Sequence, residues 1–501
     1  MEKLWNLLRW LDNYLLKLLL ITFIFIIPLY PKLPFIDLEY TYISIRLEDF
    51  FIGFMLFVFI IQLLRKKVTL RKKFLILFIL FWTAVFLSFI FGTYIQKTIQ
   101  VANIGFLHSA RRVEYMIVFF IALSLIKSKS ELLQYSKFIF VALFLVSIYG
   151  IGQKFLNFPA VQTMNPEFAR GHILYLTPEA RISSTFGGHY DLAAYLVLLL
   201  PLLLSVYLWR KKFLYFVIFL VALFALTLTA SRISSIAYIV SISAFLVYLR
   251  KWKLLITVLI FSLGLSFLSN NLIARFVKTF QIKQIFVNEL TGQVVVPQKI
   301  STKELPAGSF YVEIKNKNTS SPVINTTNQG LLNETILSGY RDEARKEGKV
   351  LTASEEAQII ATASVNLKPV NTVISDISFA TRLQAEWPRA INSFLKNPLL
   401  GTGPSSITEA TDNDYLRWIG EFGALGTSLF LIIIFSIAKF VWQFKKHEET
   451  IYIGFLFGIL GLLLNAAYID VFEASKVAYY FWMISGLFVG SLILKKKQYQ
   501  A

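Results

Sequence analysis

An all-α polytopic membrane fold follows from three features of this sequence. Apolar stretches long enough to cross a bilayer recur along the chain, basic residues crowd every second loop between them, and extended polar segments fall only in the remaining loops. With 56% hydrophobic residues, the chain carries more apolar side chains than a soluble domain of 501 residues would bury. The stretches begin near Tyr14, Asp49, Phe74, Val113, Phe138, Asp191, Phe213, Ile233, Leu254, Ala424, Thr450 and Val477, predicting about twelve transmembrane helices. The first, from Tyr14 to Tyr30, has no small-residue cleavage site before Pro31, so it is expected to remain as a span.

Loop charge orients these helices. RKKVTLRKK (65–73), the loop with Lys127, Lys129 and Lys137, RKK (210–212), RKWK (250–253), KFVWQFKKHEE (439–449) and the terminal KKK (495–497) alternate with the other loops. The positive-inside rule puts them, and both termini, in the cytoplasm. The formal charge of +20 is thereby explained as orientation rather than nucleic-acid binding. The absence of cysteine excludes disulfides and thiolate metal ligands. The outer loops are then 31–48, 92–112, 153–188, a tight turn at 229–232, the long segment 270–420 and 467–476.

This division gives transmembrane helices 1–9 in residues 1–275, an extracytoplasmic β-rich and helical insert in 276–375, an amphipathic helix and catalytic loop in 376–419, and helices 10–12 in 420–501. Within the insert, Phe310, Val312 and Ile314 alternate with Tyr311, Glu313 and Lys315, a strand pattern for the run Ile282 to Gly330. Charged helices are expected from Leu331 to Ala363. From Ser378 to Leu395, Arg382, Glu386 and Arg389 share one helical face while Leu383, Trp387, Ile391 and Phe394 share the other; Pro388 should kink or restart this helix.

Charged residues on the outer side need a reason, since positive-inside bias disfavours arginine there. Arg181, Arg232 and Arg382 all fall on that side. Each alone reads as a surface or snorkelling charge. Together they suit a phosphate or pyrophosphate, which a planar guanidinium holds bidentately. The glycines of FGG (186–188) and GTGP (401–404) permit close backbone approach, and helix-start amides add anion donors. Asp412, Asn413 and Asp414 can cap the following helix, yet three in succession exceed what one cap needs. A carboxylate beside arginines can deprotonate a hydroxyl. Glu421 should face a protein interior or pair with an arginine. His189 and Asp191, at the start of another helix, are secondary candidates. No phosphate loop, HExxH or GxSxG is present, and the four histidines are scattered, so no metal or other cofactor is expected.

The order TASR in a short outer turn, a large outer segment, R-x4-WP-x10-PLLGTGPSS and then DNDYL-x4-EFGALG resembles the O-antigen ligase and polymerase superfamily of bacterial inner-membrane proteins. RISSTFG-x7-AYL before a Pro201-containing helix fits the same pattern. The resemblance covers residues 180–275 and 375–440. It implies a GT-C-like glycosyltransferase that takes a glycan from undecaprenyl diphosphate at the outer face and joins it to a glycan, lipid or protein acceptor, without nucleotide sugar or metal. Carried over by motif, Arg181, Arg232 and Arg382 would hold the diphosphate, with Asp412 and Asn413 in the catalytic loop. Ligases of the family usually show His-Asn where this chain has Asp412-Asn413; aspartate, with an ordinary pKa of about 3.9, is the weaker base unless desolvated.

Two rivals remain. A lipid-linked oligosaccharide flippase or other transporter also has about a dozen helices, but should show internal repeats and polar groups at mid-membrane. An anchored insert acting alone would need a single helix.

Overall fold

The computed structural model describes residues 2–37, 44–68, 70–126, 128–161, 173–297, 299–305, 310–314, 326–346, 348–407, 411–443 and 450–498. His172, His447 and Lys127 lie outside these residues. In chain order the elements are α1 (Glu2–Leu29), β1 (Pro34–Asp37), β2 (Ser44–Arg46), α2 (Leu47–Leu64), α3 (Lys72–Ile90) continued by a π turn (Phe91–Ile95), α4 (Ala102–Leu125), α5 (Lys129–Phe155), β3 (Pro159–Val161), β4 (Ile173–Tyr175), α6 (His189–Arg210), α7 (Phe213–Leu228), α8 (Arg232–Tyr248) and α9 (Trp252–Phe267). There follow α10 (Asn270–Val277), β5 (Phe280–Asn288), β6 (Val294–Val295), α11 (Thr326–Lys346), α12 (Ala353–Ser364), β7 (Leu367–Ser375), α13 (Ile377–Thr381), a second π turn (Arg382–Glu386), α14 (Trp387–Lys396), α15 (Asp414–Gln443), α16 (Thr450–Ala466) and α17 (Ser475–Gln498).

Every one of the twelve apolar stretches falls in a helix. By length and apolarity, seven of the described helices qualify as membrane spans: α1, α2, α3 with its π turn, α5, α6, α15 and α17. α7, α8, α9 and α16 are apolar but shorter. α4 is as long as the spans, yet its first half carries His108, Arg111 and Arg112. The chain is a helical, membrane-embedded protein with minor sheets.

Two compact units form: residues 1–273 with 389–501, and residues 274–388. In the first, α6 and α17 are buried along most of their length. Phe78, Phe119, Phe120 and Trp482 interlock edge to face and stacked at its core, the geometry that ring quadrupoles favour. Contacts at the helix ends show the helices alternating in direction. Lys32 meets Asp191, Arg111 meets Asp49, Ser234 meets Asn465 and Asn413 meets Ala467 at one end. Arg65 and Lys67 meet Asp12, Lys17 meets Glu131 and Lys129 lies over Trp209 at the other. Cations of that second end, Arg65, Lys66, Lys67, Arg210 and Lys211 among them, are exposed.

The PLLGTGP stretch has a structural task. α15 breaks at Gly423, whose φ of 63° and ψ of −168° are non-helical. A helical break leaves backbone groups without partners, which a hydrocarbon environment does not tolerate. The preceding loop supplies them: Thr402 and Gly403 amides donate to the Gly420 and Glu421 carbonyls, while the Ala424 and Leu425 amides donate to Pro398 and Leu399. Only glycine permits this approach. A Cβ on Gly401 would lie 2.5 Å from the Glu421 carbonyl oxygen, and one on Gly423 would collide with Leu399. The close backbone approach that these glycines permit is thus used within the chain, with the Thr402 and Gly403 N–H groups engaged by α15 carbonyls.

The second unit is a small sheet of order β6-β5-β7, all antiparallel, around Ile285, Val287, Ile300, Leu305, Val370 and Ile374. The Phe310–Ile314 run lies against β7 through a Glu313–Thr372 bridge. β7 was not foreseen, and its position after α11 and α12 makes those helices an excursion between neighbouring strands. Through α13 and α14 the helix runs on past Pro388, with a π turn just before it. The π turn ends at Glu386, and the helix resumes at Trp387.

Candidate functional site

The turn between α16 and α17, residues 467–474, is the hub of the polar end of the first unit. Asp470 accepts hydrogen bonds from the amides of Thr411 (3.2 Å) and Asn413 (2.9 Å), one on each side of Asp412. Clamped this way, Asp412 takes a left-handed conformation (φ 48°), which aspartate tolerates better than most residues. Asn413 is the cap: its side-chain oxygen accepts from the Leu416 amide, and its Nδ2 donates to Ala467. Asp414 instead accepts from the Val471 and Phe472 amides. The three successive polar residues thus divide into one half-buried residue, one cap and one anchor.

Arg417 donates to Asp470 at 2.8 Å and lies 3.4 Å from Glu421. Glu421 is fully buried and also meets Arg112 of α4 at 3.0 Å; Arg112 in turn holds Glu473 at 2.6 Å and lies over the Phe422 ring. Glu421 therefore pairs with arginine, as its sequence position allowed. Two arginines hold three carboxylates in one chain of contacts running from α4 to the clamp on Asp412. Arg112, Asp470 and Glu473 were missed in the sequence. Arg112 and Glu473 lie in the outer loops 92–112 and 467–476 among other charges, and the signal that could have found Arg112 is the same bias against outer arginines that singled out Arg181 and Arg232.

Next to Glu473, Lys476 at the start of α17 is 1% exposed, and its ammonium donates to the carbonyls of Tyr30 (2.6 Å), Thr185 (2.8 Å) and Pro28 (3.4 Å). It fastens the loop that carries Arg181 and His189. Arg181 contacts His189 Nε2 at 2.5 Å and lies over Tyr190. A guanidinium can only donate, so His189 is the acceptor in this pair. Asp191 pairs with Lys32 at 3.3 Å, and burial pulls the Lys32 ammonium below the ordinary lysine range.

Arg232 opens α8. Its turn is close to the Arg181 loop, because the Ile182 amide donates to the Leu228 carbonyl. Ser234, one residue past Ile233, donates to Asn465 at the end of α16. Arg181, Arg232 and the Asp412 loop are thus each tied to the 465–476 segment. Arg382 belongs to the second unit, where it is buried and donates to the Ser378 carbonyl. His108, before the apolar part of α4, is half-buried. Burial, together with the Arg112, Arg417 and Arg111 guanidinium groups, holds its imidazole well below the usual histidine range. Among the described residues no group of three or more His, Asp or Glu side chains is arranged to hold a metal ion. Comparisons of the chain with protein-family models, curated proteins and solved structures find no match.

Proposed function

We propose that this chain is a membrane glycosyltransferase of the O-antigen ligase or polymerase type, with twelve spans in a GT-C-like arrangement. It would move a glycan from undecaprenyl diphosphate to a glycan, lipid or protein acceptor at the outer face of a bacterial cytoplasmic membrane, both termini lying inside. One observation carries this reading: the 465–476 segment ties the Arg181, Arg232 and Asp412 loops together at the end opposite the exposed basic loops.

In this reading Asp412 takes the proton of an acceptor hydroxyl, and the oxygen attacks the anomeric carbon with inversion. The bond from that carbon to the diphosphate oxygen breaks, and the electron pair leaves with undecaprenyl diphosphate. Arg232 and Arg181 meet the growing negative charge. Asp412 is taken first because it stands in the catalytic-loop motif of the family the chain resembles, with Asp191 as the alternative base.

The test is transfer by purified protein from an undecaprenyl-diphosphate glycan to candidate acceptors. The expected result is a larger glycan plus undecaprenyl diphosphate, reduced about a hundredfold or more by Arg232→Ala and by Asp412→Asn. Unchanged transfer in both variants would remove these roles. Movement of the lipid-linked glycan across proteoliposomes without any product would favour a transporter.

A further inference from the structure

The first unit holds a second polar nest that the transfer chemistry does not use. It is built on Arg46–Asp49, where β2 runs into α2. Arg46 is 7% and Glu48 2% exposed, and they form an ion pair at 3.6 Å, too long for a hydrogen bond. Arg46 Nε, both Glu48 carboxylate oxygens and Asp49 Oδ1 have no hydrogen-bond partner among the described residues. Four unmet atoms within four residues is unusual, since buried polar groups are nearly always satisfied. The surroundings do not relieve them: Lys32 is committed to Asp191 and Lys476 to three carbonyls, while Arg111 takes the other Asp49 oxygen. Arg111 and Asp49, each 16% exposed, mark the side of the nest that reaches solvent.

The unmet set defines its complement. It comprises three acceptors and one donor, so the ligand must offer several donors and at least one acceptor. A phosphate at neutral pH offers acceptors and would leave the carboxylate oxygens unpaired. Vicinal hydroxyls each donate and accept, which matches the set. Resting on the transferase reading above, we propose that Arg46, Glu48 and Asp49 bind one hydroxyl-rich sugar ring of the donor or acceptor glycan. This subsite is separate from the arginines assigned to the diphosphate.

The experiment uses the full chain in nanodiscs as wild type, Glu48→Gln and Glu48→Ala. Binding of D-glucose, D-galactose, N-acetylglucosamine and L-rhamnose is measured by calorimetry, with inorganic phosphate as competitor. Glu48→Gln keeps the side-chain volume and so preserves the fold if Glu48→Ala does not; thermal midpoints confirm it. The expected result is saturable binding of at least one sugar, weakened about tenfold or more by Glu48→Gln and unaffected by phosphate. In transfer, the variant then raises KM for the lipid-linked donor if the ring belongs to the donor, and for the acceptor if it belongs there. Competition by phosphate, or wild-type sugar affinity and unchanged KM values in Glu48→Gln, overturns the subsite. The second outcome, with transfer lost in Arg232→Ala, would leave the transferase reading intact. Sugar binding that depends on Glu48, without turnover on any acceptor, would fail the transferase reading and keep the subsite.

Discussion

At the scale of single residues, the polar end of the first unit depends on balance among buried charges. Glu421 is fully buried and held by Arg112 and Arg417. Removing one partner of such a group strands a charge, whereas removing both removes the need for either. Arg112→Met is expected to destabilise the protein by roughly 3–5 kcal/mol. Arg112→Met with Glu421→Gln should recover a large part of that loss, because Glu473, the other partner of Arg112, is exposed enough to rehydrate. Thermal midpoints of the single and double variants followed by tryptophan fluorescence decide it, and strictly additive losses would refute the coupling. Glu421 was legible from its sequence because a lone carboxylate inside an apolar helix needs a partner. Its partner Arg112 lies far away in the chain, and local patterning carries no information about such pairing. The cap role of Asn413 was also legible in outline, although only the Asp470 clamp shows why Asp412 and Asp414 are not equivalent to it.

Elements were the most readable level, because hydrophobic runs of spanning length admit few alternatives. All twelve runs are helical, and Ala424, where the tenth run was placed, is the first residue after the break in α15. The helical stretch Asp414–Phe422 before it agrees with the reading of Asp412–Asp414 as caps, and what stayed hidden is that the partners of its charges lie in α4 and the 467–474 turn. β7 was hidden for a related reason. Pro369 interrupts the run Leu367–Ser375, yet Val370 and Ile374 alternate into the core of the second unit. The break itself gives a prediction at this scale. Gly423→Ala would need a Cβ in left-handed backbone where the Leu399 carbonyl already sits. It should displace the 398–403 loop and lower the thermal midpoint, whereas Gly264→Ala, with open space around its Cβ position, should not. Equal midpoints for the two variants would show that the loop does not depend on that approach.

For the whole molecule, pH provides a probe. The native imidazole of His108 is held below its ordinary range by burial and neighbouring guanidinium groups. Between that lowered value and an unfolded value of about 6.5, the unfolded chain binds a proton that the native chain does not. Stability from this residue is present above about pH 6.5 and is lost as the pH falls through that window. His108→Gln should therefore flatten the acid side of the stability profile, measured as thermal midpoint against pH; an unchanged slope would assign the acid sensitivity to other groups. The break at Gly423 also bears on how the chain is inserted during synthesis. An unbroken α15 of 30 residues would measure about 45 Å, well beyond a hydrocarbon layer of about 30 Å. Divided at Gly423, it leaves a rod of about 20 residues, close to one bilayer thickness. The insertion machinery therefore meets an apolar segment of standard length, and the charged turns carrying Asp414, Arg417 and Glu421 can fold later, against partners that are already in place.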